Sequence, residues 1–322
     1  MPSSKPSGET GIKSILIAYD FSEASRKALR HSLAIARHYG AKLHLAYVVS
    51  SIGYGIAGPE ASQLASEGSQ RDMRQLETDL LKSRELAGLQ YEFVVREGNV
   101  WEQIQLIVEQ KRVDAVVVGT HARGSLGTLV LGSVAEQVFR HADCLVLTVG
   151  PGSREDSLVE AKEVPHPFLL ATDFGPASLE ALPYAASFAN HFGARLIVLH
   201  VLPAAPIPEG FHWSTTGDLM RMRENAQRAS QKQFEESILP YVLSSTRVEF
   251  MVKFGIASEQ ILQACHALKA DLLILGLNRT EHIETASHLP WSMAHKIVCG
   301  ASCPVLTIKN GTRHPSSPSS SG

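Results

Sequence analysis

The residues best placed to do chemistry are an aspartate and a glycine-rich stretch that would meet at one end of a parallel sheet. Asp20 closes the short apolar run "SILIAY" (14–19), where a carboxylate can accept hydrogen bonds from the hydroxyls of a ribose. The stretch "GTHARGSLGTLVLGS" runs from Gly119 to Ser133 after another apolar run, "DAVVVG" (114–119). Its last two residues, Gly132 and Ser133, open a helix-patterned segment. A helix N-terminus offers unpaired N–H groups and the positive end of the helix dipole, so it binds phosphate, and glycine lets an anion approach the backbone. On residue types alone, a second reading is equally open: the glycines form turns and Ser133 caps its helix.

The elements that must position these residues are written twice. "ILIAYDFSEASRKALRHSLAIARHYGAKLHLAYVV" returns as "LLATDFGPASLEALPYAASFANHFGARLIVLHVL", so that Asp20 recurs as Asp173 and Gly40 as Gly193. Further on, "REGNVWEQI" is echoed by "KFGIASEQI", Asp114 by Asp271, Gly119 by Gly276 and Cys144 by Cys303. The offset drifts by only a few residues, as short loop insertions produce, so one domain has been duplicated.

Within the first copy, strands are expected at 14–19, 42–49, 91–98, 114–119 and 144–149. Helices are expected from a Ser22 cap to Gly40, near 70–87, from Trp101 to Lys111, and from Gly132 to His141. "SSIGYGIAGPEASQLASEGS" (50–69) and, in the second copy, "PAAPIPEGFHWSTTGD" (203–218) read as loops. Strands that are apolar almost throughout are buried on both faces. The fold class is therefore α/β: two tandem Rossmann-like domains, each a five-stranded parallel sheet with helices on both faces and right-handed crossovers. The expected organisation is a disordered N-terminus (1–12), a first domain (13–150), a linker (151–165), a second domain (166–309) and a disordered Ser/Pro-rich tail (310–322).

Composition narrows the function classes. The chain has 322 residues, 44% hydrophobic and 19% charged, with a net charge of −2, which gives no overall pull toward nucleic acid or acidic membranes. The 4 cysteines make no paired CxxC pattern, no apolar run is long enough to cross a bilayer and "MPSSKPSGETGIK" has no hydrophobic signal core; the cytoplasm is the expected location. There is no GxxxxGK[ST], no GxSxG elbow following a strand and no HExxH among the 14 histidines. His295, Cys299 and Cys303 are spaced like metal ligands, but Cys303 matches Cys144 at the entry to a buried strand, so a small buried hydrophobe is the better reading and no metal site is expected. Glu102 and Glu259 recur at helix starts, where a carboxylate complements the dipole.

Over nearly the whole chain, 14–149 and 166–309, the sequence closely resembles the universal stress protein family in its tandem form. The nucleotide-binding branch of that family carries G-x2-G-x9-G-[ST] after the fourth strand. Here "VVVGTHARGSLGTLVLGSVAEQV" has Gly119, Ala122, Gly132 and Ser133 at that spacing, departing from it only where Ala122 replaces a glycine. The resemblance implies an adenine nucleotide hydrolase-like fold with sheet order 3-2-1-4-5, and pairing of the two copies through "CLVLTV" and "PVLTIK". It implies ATP, with or without Mg²⁺, as ligand. Asp20 and Gly119 would hold the ribose, the Val48 backbone would meet the adenine, Ala122, Gly132 and Ser133 would line the phosphates, and Val134 would also belong to the site. Arg123 reads equally as a phosphate partner and as a solvated loop arginine.

The second copy keeps Asp173, Val201 and Gly276 but replaces the glycine pattern with "LNRTEHIETASHLPWSMAHKIV". Trp291 then falls at the Gly132 position and Ser292 at that of Ser133, and an indole there is expected to deny the triphosphate. What remains is a structural role or room for an adenine-sized ligand. The function expected is a nucleotide-binding stress-response regulator acting on a protein partner, with a nucleotide-free interaction scaffold as the alternative and a slow ATPase or phosphotransfer enzyme as the second. Catalysis beyond slow ATP hydrolysis is not expected, because no Lys/Asp pair for Mg²⁺ stands out. The molecule is expected to be an intramolecular pseudo-dimer, with homodimers also compatible.

Overall fold

The computed structural model describes residues 11–50, 59–120, 131–155, 157–158, 166–204, 216–242, 246–278 and 289–312. The first half contains β1 (Ser14–Ala18), α1 (Glu23–Tyr39), β2 (Lys42–Ser50), α2 (Pro59–Lys82), β3 (Tyr91–Gly98), α3 (Val100–Gln110), β4 (Ala115–Gly119), α4 (Ser133–His141) and β5 (Leu145–Val149). The second contains β6 (Phe168–Thr172), α5 (Pro176–Glu180), α6 (Leu182–His191), β7 (Leu196–Leu202), α7 (Thr216–Ser237), β8 (Val248–Phe254), α8 (Ala257–Ala267), β9 (Leu272–Leu277), α9 (Leu289–Gly300) and β10 (Val305–Lys309).

Local sequence explains the boundaries. The Ser22 hydroxyl accepts the Ser25 N–H at 3.1 Å, and Gly40 ends α1 at φ 63°, as the capping residues predict. Two elements depart from expectation. α2 starts at Pro59, inside the stretch read as a loop, because proline is tolerated in a first helical turn and most of the residues behind it are good helix formers. The second half's counterpart of α1 breaks at Ala181, since Pro183 cannot donate to the Leu179 carbonyl.

Alternating strand residues feed two apolar layers. Ile15 and Ile17 pack with Leu29 and Leu33 of α1. Leu16, between them, packs with Ile104 of α3 and Val138 of α4 on the other face. Each such fully buried side chain contributes roughly 1.5–3 kcal/mol. Both layers continue into the second half, through Leu170 and Tyr184 on one face and Leu273 and Ile297 on the other.

The ten strands form one sheet in the order β3-β2-β1-β4-β5-β10-β9-β6-β7-β8. Every pairing within a half is parallel, for example β1 with β4 and β6 with β9, and each half has the order 3-2-1-4-5. β5 and β10 pair antiparallel, with Leu306 opposite Leu147. That pairing removes two open strand edges that would otherwise template aggregation. Thr148 Oγ1 donates to the Val305 carbonyl and Thr307 Oγ1 to that of Val146, both at 3.2 Å. Elsewhere between the halves, the Tyr39 hydroxyl lies 3.2 Å from Ser187 Oγ, and burial pushes its phenol pKa up.

The expected edges of the domains need correction. Ile12, assigned to a disordered terminus, is 1% exposed, and the next two amides donate to Asp114 Oδ2 at 2.8 and 3.0 Å. At the other end Asn310 donates to the Leu277 carbonyl (2.9 Å), Gly311 to Glu180 (2.8 Å), and Thr312 is buried. The start of the expected linker is also packed: Ser153 is buried, and the Arg154 guanidinium bonds the Lys269 carbonyl at 2.9 Å and the Asp271 carboxylate. The recurring pair Asp114 and Asp271 thus anchors chain entry into each half, and burial raises the pKa of Asp114 against the pull of its two amide donors. No helix among the described residues is long and apolar enough to cross a membrane.

Candidate functional site

Strand order reverses between β1 and β4, so a crevice opens at their carboxyl ends. The Tyr19 amide makes a last sheet bond to the Ala46 carbonyl at 2.8 Å, and the chain then turns sharply. Phe21 carries the turn at φ 63°, a left-handed conformation costing about 1–3 kcal/mol. Edge-on contacts with Tyr19 (5.0 Å) and Tyr47 (5.3 Å) hold it there. Asp20 Oδ1 accepts the Ser22 N–H at 3.0 Å, which fixes the carboxylate at the mouth of the crevice.

The turn has a consequence for β2. Since Ala46 faces β1, alternation directs the N–H and C=O of Val48 to the same side, beyond the last residue of β1. An adjacent donor and acceptor without a described strand opposite them suit the edge of a planar base.

Gly119 ends β4 beneath the first turn of α1. A Cβ there would lie 2.4 Å from the Ala24 carbonyl carbon and 2.7 Å from the Ser25 nitrogen, so no side chain fits. Gly276 has the same constraint, 2.1 Å from the Ala177 oxygen. The recurrence of this glycine therefore has a packing cause in both halves, whatever it does toward a ligand.

α4 begins with Gly132 as N-cap at φ −60°, ψ 152° and no side-chain cap bond. Ser133 is the first helical residue, not the cap, which removes the bland reading of its hydroxyl. The first intrahelical bond runs from the Glu136 amide to the Gly132 carbonyl at 2.8 Å, leaving the amides of Ser133, Val134 and Ala135 in the uncommitted first turn. Glu136 already complements the dipole there and pairs with Arg140 at 2.9 Å.

These elements enclose a cavity of about 130 Å³. Asp20, Val48, Gly119 and Val134 line it together; Gly132 and Ser133 stand at the adjoining helix start. Ala122 and Arg123 lie outside the described residues. Sequence reasoning did not single out the apolar wall, Val100 and Ile104 of α3. Their four-residue spacing on "VWEQIQLIV" was the available signal. Tyr19 also lines the cavity, its phenol pKa raised by burial, so it serves as a neutral donor or acceptor.

The second half has its own cavity of about 130 Å³ at the matching strand ends, lined by Asp173, Val201 and Gly276. Its helix α9 starts at Leu289, three residues ahead of Ser292, the counterpart of Ser133. The Trp291 side chain lies outside the described residues. Among the described residues no group of three His, Cys, Asp or Glu side chains could hold a metal ion. Cys144 and Cys303 are buried, and burial pushes the Cys144 thiol up to about 12.

A doubly wound parallel sheet with a carboxylate and an uncapped helix N-terminus at its switch point places the molecule among the Rossmann-like α/β proteins. More narrowly, the model of the universal stress protein family matches residues 11–150 and 166–309. The chain belongs to that family, as two tandem domains. It is 31% identical over 149 residues to universal stress protein MJ0531 of Methanocaldococcus jannaschii, covering 46% of this chain and 88% of that protein. Among solved structures, it is similar to a universal stress protein from Archaeoglobus fulgidus (TM-score 0.63, 17% identity, 92% of this chain and 98% of that one). It is also similar to the functionally unknown PA1789 of Pseudomonas aeruginosa (TM-score 0.61, 16% identity, 94% of each chain).

Proposed function

We propose that the first domain binds one adenine nucleotide, ATP, and that the protein acts as a nucleotide-responsive regulator in a stress response. The observation that carries this reading is the meeting, around one cavity, of the Asp20 carboxylate, the open Val48 peptide and the uncapped start of α4. The base lies along the Val48 edge, the ribose hydroxyls donate to Asp20, and the phosphates take the amides of Ser133, Val134 and Ala135. Mg²⁺ bound with the nucleotide would take most of its ligands from the phosphates. α4 also gives occupancy a route to the rest of the molecule. Its C-terminal carbonyls, Arg140 and Ala142, accept bonds from Lys309 Nζ of the second half at 2.7 and 2.9 Å. A partner protein reading that junction would sense the nucleotide.

The test is calorimetric titration of the full chain with MgATP, wild type against Gly132→Trp, which copies the second half. Binding is expected to weaken at least about tenfold, the worth of one charge-assisted hydrogen bond, with circular dichroism unchanged. Full retention of binding by the variant would remove the phosphate assignment.

A further inference from the structure

The cavity of the second half has lost one feature of its twin and kept the others. We infer that it is a binding site for an uncharged purine nucleoside, which it accepts as base and ribose while rejecting the phosphorylated forms. The inference rests on the same reading of the strand ends as holding base and ribose, applied to a different cavity.

The base edge is preserved. Leu202 gives its carbonyl to the Gly255 amide of the β8 side at 2.9 Å, so the peptide groups of Val201, one residue earlier, face the opposite way, past the end of β6 at Thr172. Leu199, Ile261 and Leu275 form apolar walls to a slot that a flat ring fills. The ribose acceptor is preserved as well. Asp173 Oδ1 takes the Gly175 N–H and the Ser178 hydroxyl, each at 2.8 Å. Oδ2 takes no hydrogen bond among the described residues, which leaves a carboxylate oxygen for a diol.

Among the described residues, the three amides proposed to grip phosphate in α4 have no uncommitted counterparts at the matching positions of α9. Because α9 starts at Leu289, Ser292 is its fourth residue, and Met293 and Ala294 follow. Only the first helical amides lack an intrahelical acceptor, so these three are spent inside the helix, whereas their counterparts in α4 are not. Three residues also carry the positive end of the helix about 4.5 Å further along its axis. A phosphate placed as at α4 would then give up its hydration beside the Asp173 carboxylate without the three amides that α4 offers, a cost an uncharged nucleoside does not meet.

The experiment titrates the full chain with adenosine and with ATP as probes. Adenosine is expected to fill two sites per chain and ATP one. Ala257→Phe fills the second slot from its half-buried rim, at the start of α8, and should remove one adenosine site while leaving ATP uptake intact. Asp173→Asn keeps the Oδ1 acceptor that holds the turn and should weaken that site about tenfold, a check independent of how Ala257→Phe folds. Adenosine stoichiometry unmoved by both variants, or ATP filling two sites, would overturn the inference. Absent ATP uptake alongside an adenosine site that Ala257→Phe removes would overturn only the first-domain proposal.

Discussion

The first half opens helix α4 at Ser133 under a bare glycine cap; the second opens the matching helix at Leu289, a turn sooner. Upstream of that difference the two are closely alike. Both follow their first strand with Asp-Phe, the phenylalanine left-handed at φ 63° and 61°, and both press a glycine of the fourth strand against the helix after the first. Both enclose a cavity of about 130 Å³. The shared features hold a turn and a slot; the feature that differs is the one able to neutralise charge. On the proposed reading, duplication followed by loss of a few amides separates a site for anions from a site for neutral ligands without disturbing either core.

The connections between the halves are unequal too. Lys309, buried in β10, caps the C-terminus of α4, but the matching position in the first half, just past β5, is Gly150, which has no side chain to return the contact. The helix proposed to grip phosphate is therefore held from the other domain at its far end.

The largest effect that could break this comparison is expected at the glycines the halves share. Gly119→Ala and Gly276→Ala each force a methyl to within about 2.5 Å of the backbone. Each should destabilise the chain by about 3 kcal/mol, read as a lowered unfolding midpoint in urea. If Gly119→Ala is neutral for stability and only weakens nucleotide, the packing cause is wrong. Next, Lys309→Met leaves two helix-end carbonyls without a charged donor and should remove about 2 kcal/mol, with weaker ATP binding as α4 loosens. An unchanged melting temperature would show that the cap is ornamental.

The smallest effect concerns a charge cluster at the opposite edge of the sheet. Glu92 accepts from Lys111 at 2.6 Å and Lys42 at 3.1 Å, and these partners hold its pKa at about 2, below the usual 4.5. A depressed carboxylate stabilises the fold above its unfolded pKa, and this contribution fades as pH falls from about 4.5 toward 2. Glu92→Gln should flatten the acid limb of the melting-temperature profile over that window while leaving it parallel to wild type above pH 5; an identical acid limb would contradict the pairing.

Much of this was legible in the residues. The repeat located both halves, the caps Ser22 and Gly40 fixed α1, and apolar strands announced a parallel sheet with two covered faces. What escaped depends on distant partners. Ile12 and Thr312 look like tail residues until Asp114, Glu180 and Leu277 supply bonds to the backbone around them. Arg154 reads as linker because its partner Asp271 is more than a hundred residues away. Gly119 matches a ligand motif and a packing constraint alike, and only the proximity of Ala24 separates the two. The wall formed by Val100 and Ile104 was hidden because half-apolar surface helices are common.

The asymmetry between the halves is measured most directly by counting the ATP that the intact wild-type chain takes up at saturation. One ATP per chain, its affinity lowered at least about tenfold by Gly132→Trp, is the expected result. Two per chain, or one whose affinity Gly132→Trp leaves unchanged, would contradict it.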